Sequence, residues 1–169
     1  MTTSSDDGTR RTMLRAELER YIHGHIPLSK AMGVSVVSVD ESAVTLQAPL
    51  GPNINHRGSA FGGSASALAI VASWALLHVR LQGEGVVDRL VIQRNTMEYQ
   101  QPILGPFTAR SRLVRPDRWP QFTAMLARKG KARIAVSAML EHAGQVAGTF
   151  TGEFVAFGPS GGASDVGGT

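Results

Sequence analysis

The sequence predicts an α+β domain in which a curved antiparallel sheet wraps around one long central helix. Three observations predict it. An uncharged, alanine-rich stretch of helical length, Gly58 to Val79, sits near the middle of the chain. Almost everything after it falls into strand-like runs separated by turn signals. The strand-like runs are segregated from the helical stretches rather than alternating with them, so the sheet must be antiparallel rather than built of βαβ units.

The 169 residues leave room for one ordinary domain, and a hydrophobic share of 43% supports a full core. No linker or repeat divides residues 12–157, the expected domain. Residues 1–11 are polar, and 158–169 form a Gly/Ser tail. Both ends are expected to be disordered. Leu14, Leu18 and Tyr21 have amphipathic helical spacing over about Thr12 to Tyr21, and Pro27 stops any helix. The runs MGVSVVSVD and AVTLQAPL, with a turn at Asp40-Glu41-Ser42, predict a hairpin. The glycine-punctuated loop NINHRGSAFGG then opens into SASALAIVASWALLHVRL, about 30 Å long if helical, which Gly83 and Gly85 end. The remainder reads as strands: VVDRLVIQRNTMEYQQP, GPFTARSRLVRP, QFTAMLARKGKARIAVSAMLEH and QVAGTFTGEFVAF. Turn signals stand at Pro102, Gly105-Pro106, Pro116-Asp117, Gly130 and Gly144. A helix apolar on nearly all sides must be covered on nearly all sides. Ala65, Ala67, Ala69, Ala72, Ser73 and Ala75 let a curved sheet come close. That is the hot-dog arrangement.

Composition removes several classes of function. Without cysteine there is no disulfide framework, zinc–thiolate site, iron–sulfur cluster or cysteine nucleophile, and a reducing, cytoplasmic setting is the expectation. No metal and no separate cofactor is expected. The net charge of +4 is spread along the chain, without aromatic-studded basic repeats or zinc-finger spacing. It points away from nucleic acid and suits an anionic partner such as a CoA nucleotide or an acidic carrier protein. The first twelve residues do not read as a signal peptide. Gly58 to Val79 is long enough to cross a bilayer, but Ser59, Ser64, Ser66, Ser73, His78 and its glycines favour a buried helix over a membrane span.

The run Pro52-Asn53-Ile54-Asn55-His56-Arg57-Gly58-Ser59-Ala60-Phe61-Gly62-Gly63-Ser64, followed by Ala67-Leu68-Ala69 and Trp74, resembles the thioesterase family of the YiiD C-terminal domain type. Ile26-Pro27-Leu28, Tyr99-x-x-Pro102, Gly130-Lys131-Ala132-Arg133 and Gly152-x-Phe154 are similar as well, so the resemblance covers about Leu18 to Phe157. It implies a hot-dog domain acting on acyl thioesters, with CoA as part of the substrate. In such thioesterases a His-Gly-Gly loop enters the central helix, and an Asp or Glu farther along activates water. Matching the two glycines puts Phe61 at that histidine and Ile70 at that acid. Matching on His56 puts Ala65 at the acid. Neither frame supplies a carboxylate.

The candidate catalytic residues are Asn55, His56, Gly63, Ser64 and Glu98. The unpaired N–H groups of Gly62, Gly63 and Ser64 at the helix start would polarise a thioester carbonyl and hold an oxyanion, at about 3 kcal/mol per donor. The same glycines would serve simply for a tight loop-to-helix turn. His56 is a base or orienter, or a loop histidine bonded to backbone. Asn55 is favoured for holding water and Asn53 for turn-making. Ser64 or Ser66 would cap the helix rather than act as a nucleophile, since no elbow motif or triad acid accompanies them. Glu98, and more weakly Asp88, could activate water if a partner subunit brought them to the cleft, and are otherwise exposed carboxylates. Asn53, Ser59, Phe61 and Gly62 are expected around the substrate. Arg128, Lys129, Lys131 and Arg133 form a basic run that either binds CoA phosphates or an acidic carrier, or is a solvated hairpin turn. Trp74 and Trp119 are assigned to the core.

Two functions remain open at this stage. One is hydrolysis of an acyl-CoA or acyl carrier protein thioester. The other is a non-catalytic acyl-thioester binding or regulatory module. In either case a free sheet edge calls for a homodimer or a dimer of dimers.

Overall fold

A computed structural model describes residues 3–86 and 89–159, with side chains from Leu14 onward. The chain forms α1 (Thr3–His25), α2 (Pro27–Ala31), β1 (Ser35–Val39), β2 (Val44–Ala48), α3 (Gly62–Gly83), β3 (Arg89–Tyr99), β4 (Phe107–Leu113), α4 (Trp119–Lys129), β5 (Lys131–His142) and β6 (Gln145–Phe157). Single 3-10 turns at Gly51–Asn53 and Pro116–Arg118 precede α3 and α4. The strands make one sheet in the order β1-β2-β4-β5-β6-β3, every neighbouring pair antiparallel. This sheet curves around α3, as the hot-dog expectation required.

Burial of α3 explains the curvature. Leu68, Leu76, Leu77 and Leu81 are fully buried, as are Ala69, Ala72 and Ala75. Small side chains on the helix let the strand come close enough for a serine hydroxyl to bond the helix backbone. Ser111 on β4 donates to the carbonyl of Ala72 at 2.8 Å, tying the sheet to the middle of the helix. By length and composition α3 could cross a membrane, but 61% of its most apolar window is buried inside the sheet.

The hairpin expected at 40–42 is present. The Asp40 carboxylate accepts hydrogen bonds from Ser42 N at 2.8 Å, Ser42 Oγ at 2.6 Å and Ala43 N at 2.9 Å. The bond from the Ser42 hydroxyl is the main cause holding its pKa below the usual carboxylate value. Two expectations need correction. Helix α1 starts at Thr3, inside the 1–11 segment expected to be disordered. No proline interrupts the chain before Pro27. The segment 121–129, expected as strand, belongs to helix α4 (Trp119–Lys129). Its buried residues Trp119, Phe122 and Leu126 recur at helical spacing, Pro120 sits in its first turn, and Gly130 closes it with a left-handed φ of 67°. Gly130 is therefore a helix cap rather than a hairpin turn. The tail expected at 158–169 lies, from residue 160, outside the described residues, and so does Asp88.

Helix α1 lies on α3 through a stack of rings. Tyr21 stacks on His25 at 3.9 Å and on His78 at 4.5 Å, and His78 stacks on Trp74 at 4.9 Å between centroids. Burial, with a smaller contribution from the nearby His25, lowers the pKa of His78 below its ordinary 6.5. The unfolded chain therefore takes up the proton first as pH falls, so the fold loses stability below about pH 6.5 and keeps it above. Urea unfolding at pH 8 and pH 5.5 checks this: the wild-type midpoint should drop at the lower pH, and His78→Phe, which keeps a stacked ring, should drop less.

Candidate functional site

The loop 49–61 is held rigidly at the mouth of α3. Asn53 is buried, and its Nδ2 donates to the carbonyls of Met32 at 2.8 Å and Pro49 at 2.7 Å. Its own carbonyl accepts from Phe61 N at 2.7 Å. Asn55 closes the tip: Oδ1 accepts from Arg57 N at 2.8 Å and Ser59 N at 3.2 Å, while Nδ2 donates to Ser59 Oγ at 3.0 Å. Gly58, at φ 82°, supplies the left-handed turn inside this closure. Ala60 N donates to Ile103 O at 2.8 Å, anchoring the loop to the connection between β3 and β4.

Phe61 then takes the N-cap position with an extended backbone and no side-chain cap. Ala65 N, bonded to Phe61 O at 3.1 Å, makes the first helical hydrogen bond. The amides of Gly62, Gly63 and Ser64 precede it, and no backbone carbonyl among the described residues accepts from them. They carry the positive end of the α3 dipole. Around them stand exposed apolar groups: Phe61 and Tyr99 are each 58% exposed and Ile54 is 50% exposed. Tyr99 donates its hydroxyl to Gly62 O at 2.9 Å, and its ring lies 3.4 Å from where a Cβ on Gly62 would be. A Cβ on Gly63 would sit 2.3 Å from the Phe61 ring. A side chain at Gly63 would thus displace the Phe61 ring from the helix start, whereas one at Gly62 would make only ordinary contact with Tyr99.

From this mouth an incompletely covered stripe runs down α3. Gly63 is exposed and Ser66, Ala67, Ile70 and Trp74 are half-buried, at successive turns of the helix. Leu90, Ile92 and Met97 of β3 are also only partly covered. The expectation that the helix would be covered on every side holds for its leucines but not for this stripe.

The remaining candidates are placed as follows. His56 is exposed on the loop tip. Ser59 serves the loop closure, and Ser64 is half-buried in the first helical turn without capping it. Glu98 lies on the face of the sheet away from α3. Its neighbour Tyr99 faces the helix, and successive strand residues point to opposite faces. Glu98 stands opposite Thr149, which stands opposite the exposed Met139. Within one subunit it is not brought to the α3 mouth. The basic run is divided: Arg128 and Lys129 end α4, the Lys131 ammonium lies over the Phe157 ring at 5.4 Å, and Arg133 projects from β5. Among the described residues no group of three His, Cys, Asp or Glu is placed to hold a metal. Tyr99 is the site residue that sequence reasoning passed over, and only its place in the Tyr99-x-x-Pro102 pattern was visible locally.

Residues 15–158 match the model of a family described as "putative thioesterase (yiiD_Cterm)". Among solved structures, the chain is similar to a protein of unknown function from Chlorobaculum tepidum, at 27% identity and TM-score 0.82, covering 88% of this chain and 96% of that one. A "putative thioesterase" from Shewanella oneidensis follows at 24% identity and TM-score 0.76, covering 86% and 99%. A thioesterase from Haemophilus influenzae shares the fold at 12% identity and TM-score 0.69, covering 85% and 90%.

Because Asn53 is buried and bonds the carbonyls of buried Met32 and exposed Pro49, whereas Asn55 secures only an exposed tip, Asn53→Ala should cost about 1–3 kcal/mol and Asn55→Ala about 1 kcal/mol or less. Urea unfolding of the two variants checks the order.

Proposed function

Since the chain belongs to the YiiD C-terminal thioesterase family, we propose that it hydrolyses acyl thioesters carried on CoA or on an acyl carrier protein. The observation that supports this most is the set of three amides at the start of α3, without backbone acceptors, opening onto an apolar stripe. The thioester carbonyl binds at Gly62, Gly63 and Ser64, and the amides stabilise the oxyanion formed when water attacks. The acyl chain lies along Ala67, Ile70 and Trp74, where partly covered hydrocarbon is available to it. Phe61 and Tyr99 flank the carbonyl and limit access of bulk water.

The base is His56, whose ring is exposed on the loop tip and can take the proton of the attacking water. Asn55 serves by fixing that tip, since its amide is already committed to Arg57 and Ser59. The site is completed by a second subunit. Strand β3 is an eleven-residue sheet edge paired only with β6, and Val91 on it is 50% exposed. Pairing of two such edges would satisfy their backbone groups and cover the open stripe. A cytoplasmic setting supplies substrates of this kind.

One observation favours a second reading, a non-catalytic acyl-thioester binding module. No carboxylate stands on α3 between Gly62 and Gly83, and Glu98 faces away within the subunit. Release of free thiol from a panel of acyl-CoA and acyl carrier protein thioesters separates the two. The hydrolase predicts saturable turnover that His56→Ala lowers tenfold or more. Binding without turnover establishes the module instead, and full activity in His56→Ala removes the histidine from the chemistry. Light scattering should give at least twice the 18.0 kDa chain mass, and a monomer would contradict the shared site.

A further inference from the structure

A cavity lies at the other end of the molecule. The start of β5 has no strand on its β4 side, because the pairing of β4 with β5 stops at Leu113 opposite Val136. Val114 N then reaches Ala135 O at 3.2 Å, and beyond that point the chain turns away into Pro116–Arg118 and α4. The gap between α4 and this open strand edge is a groove of about 380 Å³, within the range of small-ligand pockets. Phe122, Met125, Ala132 and Ile134 give it an apolar lining.

Three arginines line the same groove: Arg115, Arg118 and Arg133. Arg115 is neutralised by a two-point ion pair with Asp117, at 3.0 and 2.9 Å. Arg118 bonds the neutral amide of Gln121 at 2.6 Å and lies near Asp117, whose two-point ion pair is with Arg115. Arg133 lies near Glu153, whose own ion pair is with Arg94. Backbone polarity adds to this. Since Ala135 O faces the β4 side, the two-residue alternation of strand hydrogen bonding points the N–H and C=O of Arg133 the same way, with no strand opposite.

The groove is remote from the α3 mouth. Trp119, the first residue of α4, hydrogen-bonds Glu84 at the C-terminal end of α3. The 22 residues of α3 put its two ends about 33 Å apart.

We propose that this groove is a second ligand site, taking a small amphiphile with a carboxylate at one end and a short hydrocarbon chain behind it. Arg118 and Arg133 hold the carboxylate through charge-assisted bonds, for which the planar guanidinium is well matched. The chain lies on Phe122, Met125 and Ile134. The inference stands without the hydrolase reading. If that reading holds, the free acid released at α3 belongs to the class this site accepts, and occupancy reports product.

Calorimetric titration with octanoate, octanol and acetate tests it, with no turnover involved. Octanoate should bind at one site per chain, and octanol and acetate should each bind at least tenfold more weakly, since each lacks one half of the match. The double variant Arg118→Gln/Arg133→Gln, in two exposed side chains, should weaken octanoate tenfold or more and leave octanol unchanged. Met125→Glu, which sets a negative charge in the apolar lining, should weaken octanoate tenfold or more by a different route, and octanol with it. Tyr99→Phe, at the α3 mouth, should leave octanoate affinity unchanged. Absence of octanoate binding at millimolar concentration would overturn the proposal. So would binding that survives both groove changes or is lost in Tyr99→Phe.

Discussion

Enclosure of α3 is the constraint on which the rest of this molecule depends. Four of its leucines are fully buried, each stabilising the fold by about 1.5–3 kcal/mol relative to exposure. A flat sheet covers one side of such a helix, so the strands must curve, and the curvature requires small residues where the helix meets the sheet. Ala69, Ala72 and Ala75 supply them, and Ser111 uses the short distance to bond the carbonyl of Ala72. The same enclosure fixes the site. With its body locked, α3 can present its first turn only where the 49–61 loop delivers the chain, and that loop is pinned by Asn53 to the segment before β1.

Division of labour between the two asparagines, the aromatic rings and the glycines gives a mouth whose polar groups are backbone rather than side chain. Backbone amides cannot titrate and need little reorganisation, which suits stabilisation of an oxyanion. They cannot remove a proton from water either. The chemistry proposed for this chain therefore separates two tasks that a central-helix carboxylate would combine: electrostatic stabilisation belongs to α3, and proton transfer belongs to the loop. In that proposal the apolar stripe from Gly63 to Trp74 supplies binding energy along the acyl chain.

Much of this was legible in the sequence because its signals were local. The uncharged alanine-rich run, the Asp40 turn and the glycine pair at 62–63 each announce their geometry within a few residues. The error at 121–129 has the same origin. Read among strand-like neighbours, QFTAMLARK passes for a strand, although Trp119, Phe122 and Leu126 keep helical spacing behind Pro120. Two further features depended on pairing, which no local pattern encodes. The face taken by Glu98 follows from its register with Thr149, and the groove beside β5 exists only because β4 stops pairing at Val136. Tyr99 reaches α3 for the same reason, through an edge strand that is distant in sequence.

The central claim is that the first amides of α3 hold the acyl carbonyl. A nitrogen-15 NMR titration with an acyl-CoA analogue whose thioester sulfur is replaced by CH₂ reads those amides directly. The account predicts that the Gly62, Gly63 and Ser64 signals move together and saturate, with larger shifts than any other amides. Saturating shifts confined to other elements, with these three signals unmoved, would contradict it.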